Sequence, residues 1–282
     1  MPFHIAQIGS SFAAGPGIPP VADARARRSG ANFASLVRQR LAESRGGDTV
    51  LLTDLSVSGA TLPQLESEPQ VPHAGSGVFP PQIPQIPQDA DAVLVLGGGN
   101  DVGYIGGLFE DTLRGRGILG GALAYVLGGS GAPAADPDRT TESALAARYG
   151  AVLDAVHARA PGARVVVVEY VRMFGPDASA SSTEFSAERV ARHREVGMKL
   201  LRATRGAALA EERKGWCELV RVDETSAAHG LGSKDPWVNG FSWGMFRAGC
   251  AFHPNAEGMK GVAELVFRKF EELGFAKPPA KL

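Results

Sequence analysis

Reactive side chains follow apolar runs at several points of this 282-residue chain. Near the amino end, the segment AQIGSSFAAG places Ser10 and Ser11 directly after an apolar run that stops at Gly9. A serine in such a place can shape a turn, help to hold a phosphate group, or act as a nucleophile when a base activates it. The choice among the three depends on which other residues the fold brings beside the serines.

Apolar runs alternate along the chain with segments of helical periodicity. Several runs are rich in Val and Leu without strict alternation, as buried parallel strands are. The predicted strands are Phe3 to Ile8, Thr49 to Leu55, Ala92 to Leu96, Ala163 to Tyr170 and Cys217 to Val222. The predicted helices are Asn32 to Ser44, Glu142 to Ala160, Ser186 to Arg213 and Asn255 to Leu273. Strands separated by helices need crossover connections, which predicts an α/β fold: a three-layer α/β/α sandwich around a mostly parallel, flavodoxin-like sheet of five strands.

No linker with a change of composition divides the chain, so one domain over residues 1–282 is expected. Two surface insertions are expected within it. The stretch 69–91 carries too many prolines for a helix or a strand and is predicted to be an extended surface loop. The stretch 103–138 is rich in Gly and Ala and is either a mobile flap beside a site or a loosely helical connection.

Four polar or reactive positions are expected to share one edge of the sheet, because ligands of open parallel sheets gather outside the carboxyl ends of the strands. The first is the serine pair. The others are Gly59 in SVSGAT after the second strand, Asn100 in LGGGNDVGY after the third, and His253 in GCAFHPN before the last helix.

The order of these residues resembles that of the SGNH or GDSL hydrolases. The family's Gly-Asp-Ser block stands here as Gly9-Ser10-Ser11, with Ser10 in place of the aspartate. The second block's glycine corresponds to Gly59, the GxND block to 98–101, and the DxxHP block to 250–254. The blocks keep the family's order over nearly the whole chain. The small residues in GSSFAAGPG look most like the secreted-type lipases and esterases of bacteria and fungi.

The resemblance implies hydrolysis of a carboxylic ester through an acyl-enzyme intermediate, with no metal or organic cofactor. Ser11 would be the nucleophile, and His253 would take its proton and return it to the leaving group. The oxyanion would be held by the backbone N–H groups of Ser11 and Gly59 and by the amide of Asn100, each good donor being worth roughly 3 to 4 kcal/mol. A glycine at position 59 leaves its N–H open to the substrate.

The acid that usually orients the histidine is missing, because Cys250 stands in its place. A thiol is a weak hydrogen-bond acceptor. Some esterases of this family use a backbone carbonyl three residues before the histidine, which here is the carbonyl of Cys250. That arrangement is the expected one, and an acid from elsewhere, Asp223 or Asp235, is the alternative.

Each candidate also has a purely structural interpretation, since the serines, Gly59 and Asn100 suit turns and His253 could pack beside a helix N-cap. Their joint order favours catalysis, and among the other histidines only His229 is a credible rival base. A doubly wound protein that binds a nucleotide or phosphate, or a relative that binds acyl or sugar ligands without turnover, stays open as the alternative. The segment GSSFAAGPG does not match GxGxxG, and the chain contains no GxxxxGK[ST] sequence. Neither phosphate-binding motif therefore supports the nucleotide interpretation.

Composition narrows the partners. A formal charge of −1 gives no field that would recruit nucleic acid or an anionic membrane, so a small-molecule or lipid ester substrate is expected. No apolar run approaches the roughly 18 residues of a membrane span, and no signal-peptide pattern is visible. A soluble chain is therefore expected, either cytoplasmic or exported with its leader removed.

Two further expectations concern cysteines and aromatic residues. Cys217 and Cys250 are predicted to be separate thiols, because a strand roughly 20 Å long at about 3.3 Å per residue lies between them. Short-chain esters, lipids, acetylated sugars and thioesters all remain as substrates. The aromatic side chains that could line an acyl groove are Trp237, Phe241, Trp243 and Phe246.

Overall fold

A computed structural model describes residues 2–47, 49–72, 76–115 and 140–276. Its strands are β1 (Phe3–Gly9), β2 (Val21–Asp23), β3 (Arg28–Ser29), β4 (Val50–Asp54), β5 (Ala92–Leu96), β6 (Arg164–Val168) and β7 (Cys217–Val220). Five of them form one parallel sheet in the order β4-β1-β5-β6-β7, and β2 pairs with β3 as an antiparallel hairpin. Counted within the sheet, the order is 2-1-3-4-5, that of flavodoxin-like sheets. The five predicted strands and their parallel arrangement are confirmed.

Helices of very different lengths connect the strands. They are α1 (Ser11–Ala14), α2 (Phe33–Ser44), α3 (Leu62–Glu66), α4 (Tyr104–Arg114), α5 (Glu142–Arg159), α6 (Ala180–Thr183), α7 (Ala187–Ala208), α8 (Asp223–Ser226), α9 (Trp243–Ala248) and α10 (Ala256–Glu272). The four helices predicted from periodicity, α2, α5, α7 and α10, are confirmed. Each of the four begins at a side chain that caps a free backbone N–H, which explains their sharp starts. The capping residues are Asn32, Thr141, Ser186 and Asn255.

The sheet is covered on both faces. Helix α5 packs against α7, and α2 packs against α10. Every residue of β5 is buried, and so are Val165 to Val168 of β6. Burial on both faces explains why these strands read as continuous apolar runs, and the predicted three-layer sandwich is confirmed.

The described residues of the proline-rich stretch 69–91, which exclude 73–75, are more tightly held than the predicted surface loop. Gln70 forms an isolated antiparallel bridge with Phe79, and Ile83 and Ile86 are buried in the core. The buried side chain of Gln82 accepts the Gly9 N–H over 2.8 Å and donates to the Gly9 carbonyl over 3.1 Å. In the described part of this stretch, regular hydrogen-bonded structure is limited to the Gln70–Phe79 bridge and a short 3₁₀ helix over Ile83–Gln85, and buried side chains anchor the rest.

The other predicted insertion, 103–138, begins with helix α4. The rest of it, from residue 116 onward, lies outside the described residues, so the two alternatives, a flap or a connection, stay predictions. Across the described ranges, no helix has the length and apolar character needed to cross a membrane.

Candidate active site

The strand order reverses between β1 and β5, so the carboxyl ends of these strands form the switch point of the sheet. Ser10 and Ser11 follow β1, and the glycines before Asn100 follow β5. The Ser10 N–H donates to the Leu96 carbonyl over 3.0 Å, which joins the two strand ends directly. The crevice expected from the sheet topology is therefore where the predicted serines lie.

Ser11 begins the four-residue helix α1, so its N–H has no acceptor within the helix. The turn before it needs a glycine. Gly9 has a φ of 153°, and a β-carbon there would lie 2.8 Å from that of Ala13 and collide with the Leu96 carbonyl. Ser11 is 6% exposed and Ser10 is 1% exposed. The strand-to-helix turn buries both serines at the switch point of the sheet.

Gly59 lies in a turn after β4 with a φ of 87°, a left-handed conformation that favours glycine. Its neighbours use their N–H groups, Ser58 donating to Ala26 over 2.9 Å and Ala60 to Val57 over 3.1 Å. Within the described residues, the N–H of Gly59 has no protein acceptor. This turn presents one backbone donor between two that are already bonded.

Asn100 lies beside the Gly59 turn. One hydrogen of its side-chain amide bonds the carbonyl of Ala60 over 2.8 Å. An amide nitrogen carries two hydrogens, so the second is available to another acceptor. Asp101 ties the same two segments together, because its carboxylate accepts the Leu62 N–H over 3.0 Å. Burial raises the pKa of the Asp101 carboxyl.

His253 lies in the loop between α9 and α10 and is 7% exposed. Its Nδ1 is 2.7 Å from the backbone carbonyl oxygen of Ala251. A carbonyl oxygen only accepts, so this contact requires hydrogen on Nδ1 and leaves the lone pair of the neutral ring on Nε2. His253 also packs on Phe12, the residue after Ser11, with ring centroids 5.7 Å apart.

The carbonyl at Nδ1 differs from the predicted one, which was that of Cys250. The Cys250 carbonyl instead accepts the His253 N–H over 3.2 Å and the side-chain amide of Asn239 over 3.0 Å. The reason is a tight turn in which Phe252 adopts a left-handed φ of 58°. The turn closes through Cys250 and presents the carbonyl of Ala251 to the ring.

The loop that carries His253 also packs against the segment that follows α1. A β-carbon at Gly17 would lie 2.6 Å from the β-carbon of Cys250. Cys250 and Cys217 are both buried free thiols, which confirms the prediction that they are not bridged. Burial raises the pKa of the Cys217 thiol to about 12.

The alternative acids and the rival base have other partners. The Asp223 carboxylate pairs with the guanidinium of Arg172, one bond being 2.8 Å long. The side chain of Asp235 is exposed. The backbone carbonyl oxygen of Asp235 lies 2.8 Å from Nδ1 of His229. The His229 ring stacks on Trp237, with ring centroids 4.5 Å apart. His229 is therefore held by Trp237 and the backbone of its own loop.

The aromatic residues upstream of His253 divide into two groups. Trp237 packs against Gly261 of helix α10, so its role is structural. Phe241, Trp243 and Phe246 contact one another, and Phe241 and Phe246 extend the cluster to Phe252 and Phe109. A cavity of about 420 Å³ lies on this cluster. Its lining is mixed: Phe185, Leu231, Phe241 and Phe252 form an apolar side, and polar or charged residues, among them Asp111, Thr183, Glu184 and Arg189, form the rest.

Two side chains that contact the ends of β1 and β5 were not predicted from the sequence. Tyr170 approaches both Ser10 and Gly99, and Gln82 holds Gly9. Tyr170 lay inside a predicted strand that ends at Val168 in the structure. A polar residue just beyond a buried apolar run was the available signal for it, whereas nothing in the proline-rich stretch marked Gln82.

The parallel 2-1-3-4-5 sheet defines a flavodoxin-like α/β fold, and Ser11 and Asn100 follow the two strands at its switch point. The sequence profile of the GDSL-like lipase/acylhydrolase family matches residues 8–260. The chain belongs to that family, whose members are ester hydrolases. Among proteins of curated function, none matches the chain by sequence.

Solved structures of similar fold include lipases and esterases. An extracellular lipase from Streptomyces rimosus shares 20% identity with a TM-score of 0.64, over 94% of this chain and 98% of that one. A phospholipase A1 from Streptomyces albidoflavus NA297 shares 17% identity with a TM-score of 0.66, over 95% and 99%. A carbohydrate esterase family 2 enzyme from Corynascus thermopiles shares 16% identity with a TM-score of 0.53, over 96% and 67%. At these identities the likeness shows the shared fold.

Proposed function

We propose that the protein hydrolyses carboxylic esters through an acyl-enzyme intermediate on Ser11, with His253 as general base and acid. The observation that carries this proposal is the packing of helix α1 against the His253 loop. Phe12 contacts the imidazole ring directly, and Gly17 contacts Cys250. This packing supports the proposal, because it joins segments separated by most of the chain, as a serine–histidine pair requires.

Three donors support the proposed oxyanion hole. The Ser11 N–H has no acceptor within its helix, and the Gly59 N–H has none among the described residues. The amide of Asn100 keeps one hydrogen after bonding Ala60. Donors that need no rearrangement stabilise a developing oxyanion most effectively, and one such donor is worth roughly 3 to 4 kcal/mol. We assign all three to the oxyanion.

The tautomer of His253 supports its role as the base. Hydrogen on Nδ1, bonded to the Ala251 carbonyl, leaves the Nε2 lone pair for the proton of Ser11. A carbonyl dipole stabilises the imidazolium less than a carboxylate does. The proposed mechanism therefore uses a serine–histidine dyad with a backbone carbonyl as the orienting group. On this basis, Cys250→Ala and Asp235→Asn are expected to retain activity, because neither side chain is assigned a step.

We further propose that the apolar side of the mixed cavity, formed by Phe185, Leu231, Phe241 and Phe252, receives the acyl chain of the substrate. Phe252, which lines the cavity, directly precedes the proposed base His253 in the sequence. Burial of the acyl chain against these aromatic rings would stabilise the bound substrate by about 25 cal/mol for each Å² of apolar surface removed from water. Both Streptomyces structures with the same fold are named as lipolytic enzymes, which agrees with such a substrate.

The proposal is tested by incubating the protein with a fluorophosphonate and locating the adduct by mass spectrometry. The expected result is one adduct, on Ser11, which is lost in Ser11→Ala and greatly slowed in His253→Ala. His229→Ala is the matched control, since it removes a histidine from the neighbouring loop and is expected to label normally. An adduct on another residue, or labelling that is indifferent to His253, would refute the assignment.

The remaining alternative is a fold relative that binds a nucleotide or phosphate without turnover. The same preparation distinguishes it. Thermal stabilisation by nucleotides together with the absence of any fluorophosphonate adduct would favour that alternative over the hydrolase.

A further inference from the structure

The hydroxyl of Tyr170 joins the two strand ends that flank the crevice. It lies 2.9 Å from the Ser10 hydroxyl oxygen and accepts the backbone N–H of Gly99 over 3.0 Å. Ser10 precedes the proposed nucleophile, and Gly99 precedes Asn100. We call this arrangement the Ser10–Tyr170–Gly99 link.

The chemistry of the link follows from burial. Desolvation raises the pKa of Tyr170 to about 12, so the phenol is neutral at physiological pH. The Gly99 N–H can only donate, and it occupies one lone pair of the phenol oxygen. The phenol and Ser10 hydroxyls then share the second hydrogen bond. Both bonds are buried, where hydrogen bonds are electrostatically stronger than in water.

The ring of Tyr170 is held as firmly as its hydroxyl. A β-carbon at Gly99 would lie 2.8 Å from atoms of the ring, so the backbone and the ring are in direct contact. On its other side the ring packs on Phe12 with centroids 4.6 Å apart. Phe12 in turn contacts His253. Tyr170 therefore touches the segments after β1 and β5 and, through Phe12, the histidine loop.

We infer that Tyr170 is a positioning residue that sets the separation of two of the proposed oxyanion donors. The peptide that joins Ser10 to Ser11 carries the Ser11 N–H, and the residue after Gly99 carries the Asn100 amide. Tyr170 bonds the residue directly before each donor. The inference rests on the proposed hydrolase function and adds a residue from the segment that follows β6, a strand whose end contributes none of the four proposed catalytic residues.

A positioning role has a kinetic signature of its own. The oxyanion exists only along the reaction path, so displaced donors lower kcat and leave ground-state binding nearly unchanged. Tyr170→Phe removes the hydroxyl and keeps the ring. The expected result is a fall in kcat of about 10-fold or more, with KM changed by less than about threefold.

Tyr104→Phe is the matched control. Tyr104 is also buried, packs edge-to-face on Tyr170 with centroids 6.0 Å apart, and accepts a backbone N–H, that of Met173, over 3.2 Å. Its hydroxyl contacts neither strand end of the crevice in the described structure. Tyr170→Phe loses two buried hydrogen bonds and Tyr104→Phe loses one, so both melting temperatures should fall, that of Tyr170→Phe at least as far. Only Tyr170→Phe should lose turnover.

The partner residue supplies a second, milder test. Ser10→Ala removes the hydroxyl on the other side of the link and should also lower kcat. In the double variant Ser10→Ala/Tyr170→Phe, kcat should be no lower than in Tyr170→Phe alone, because both substitutions break the same bond. Ser10→Ala keeps the inference testable if Tyr170→Phe does not yield folded protein.

The outcomes separate the inference from the function on which it rests. Failure of the wild-type protein to label with fluorophosphonate at Ser11 would overturn the proposed function itself. If the wild type labels, then wild-type kcat in folded Tyr170→Phe or in Ser10→Ala would overturn the positioning role alone. Equal losses in Tyr104→Phe and Tyr170→Phe would also overturn it, since they would indicate a general packing effect.

Discussion

The side-chain amide of Asn100 bonds the carbonyl oxygen of Ala60 over 2.8 Å, which joins the turn after β5 to the turn after β4. Ala60 directly follows Gly59, so this bond places two proposed oxyanion donors side by side. It also fixes the orientation of the amide, because only the nitrogen can donate to a carbonyl. The bond to Ala60 therefore also fixes the direction in which the second hydrogen of the Asn100 amide points.

Asn100→Ala is expected to lower kcat by about 100- to 1000-fold, the usual loss for one oxyanion donor. Asn100→Asp should lose at least as much, because a carboxylate offers no donor and its charge opposes the oxyanion. Steady-state kinetics on a soluble aryl ester measure both variants. Circular dichroism and the melting temperature establish that they are folded. A folded Asn100→Ala variant with kcat within a few-fold of wild type would remove Asn100 from the proposed oxyanion hole.

Gly17 and Gly46 form a matched pair that tests the contact between α1 and the histidine loop. Their φ values are 80° and 75°, so replacement by alanine imposes similar backbone strain, of about 1 kcal/mol. A β-carbon at Gly46 has no atom within 4 Å, whereas one at Gly17 would lie 2.6 Å from the Cys250 β-carbon. Gly17→Ala should therefore lower the free energy of unfolding more than Gly46→Ala, and it alone should reduce kcat.

Urea denaturation and ester hydrolysis measure the two effects on the same preparations. Equal destabilisation by the two substitutions, with equal activity, would mean that the Gly17 contact does not hold the histidine loop in place.

That Ser11, Gly59 and Asn100 follow strands at the carboxyl edge of the sheet could be predicted from local patterns. Each of the three comes just after an apolar run, and the carboxyl ends of parallel strands share one edge. Strand order and crossover rules leave few other arrangements for such a chain. What remained unpredictable was how these residues are held.

The supporting contacts depend on pairs that are distant in sequence or on unusual backbone conformations. Tyr170 is 160 residues from Ser10, and Gln82 is 73 residues from Gly9. The carbonyl that orients His253 belongs to Ala251 because Phe252 is left-handed, a conformation that a phenylalanine rarely adopts. Local sequence patterns carry no signal for either kind of feature.

The pH dependence of stability should include a contribution from His193. Its ring packs on Phe174 and Phe185, and its Nε2 lies 2.8 Å from the carboxylate of Asp111. Burial lowers the pKa of His193 below its usual value of 6.5, although the Asp111 carboxylate opposes the shift. As the pH falls through 6.5, the unfolded chain therefore binds a proton more readily than the folded one, and the free energy of unfolding decreases.

Denaturant unfolding measured between pH 7.5 and 5, as a rough bracket of the histidine titration range, tests this sign. His193→Gln should flatten the dependence. Asp111→Asn should steepen it, because removing the carboxylate lowers the pKa of His193 further. A decrease in stability that is unaltered in His193→Gln would assign the pH dependence to other groups.

Substitutions of Gln82 and Gln85 compare a buried side chain that anchors the proline-rich stretch with an exposed one that does not. The Gln82 amide is buried and satisfies both the N–H and the carbonyl of Gly9. The Gln85 amide is exposed and donates to the carbonyls of Pro80 and Pro81. Removing a buried partner leaves polar groups unsatisfied at a cost of about 1 to 3 kcal/mol, whereas an exposed bond is replaced by water.

Gln82→Ala is therefore expected to destabilise the protein by about 2 kcal/mol and to lower kcat, because Gly9 shapes the turn that presents Ser11. Gln85→Ala should change the free energy of unfolding by less than about 0.5 kcal/mol and leave kcat unaltered. Because the Gln82 bonds shape the folded turn, kcat of Gln82→Ala should be lower even well below its melting temperature, where the variant is fully folded. If the two alanine variants behaved alike, the Gln82 side chain would have no part in holding the nucleophile turn.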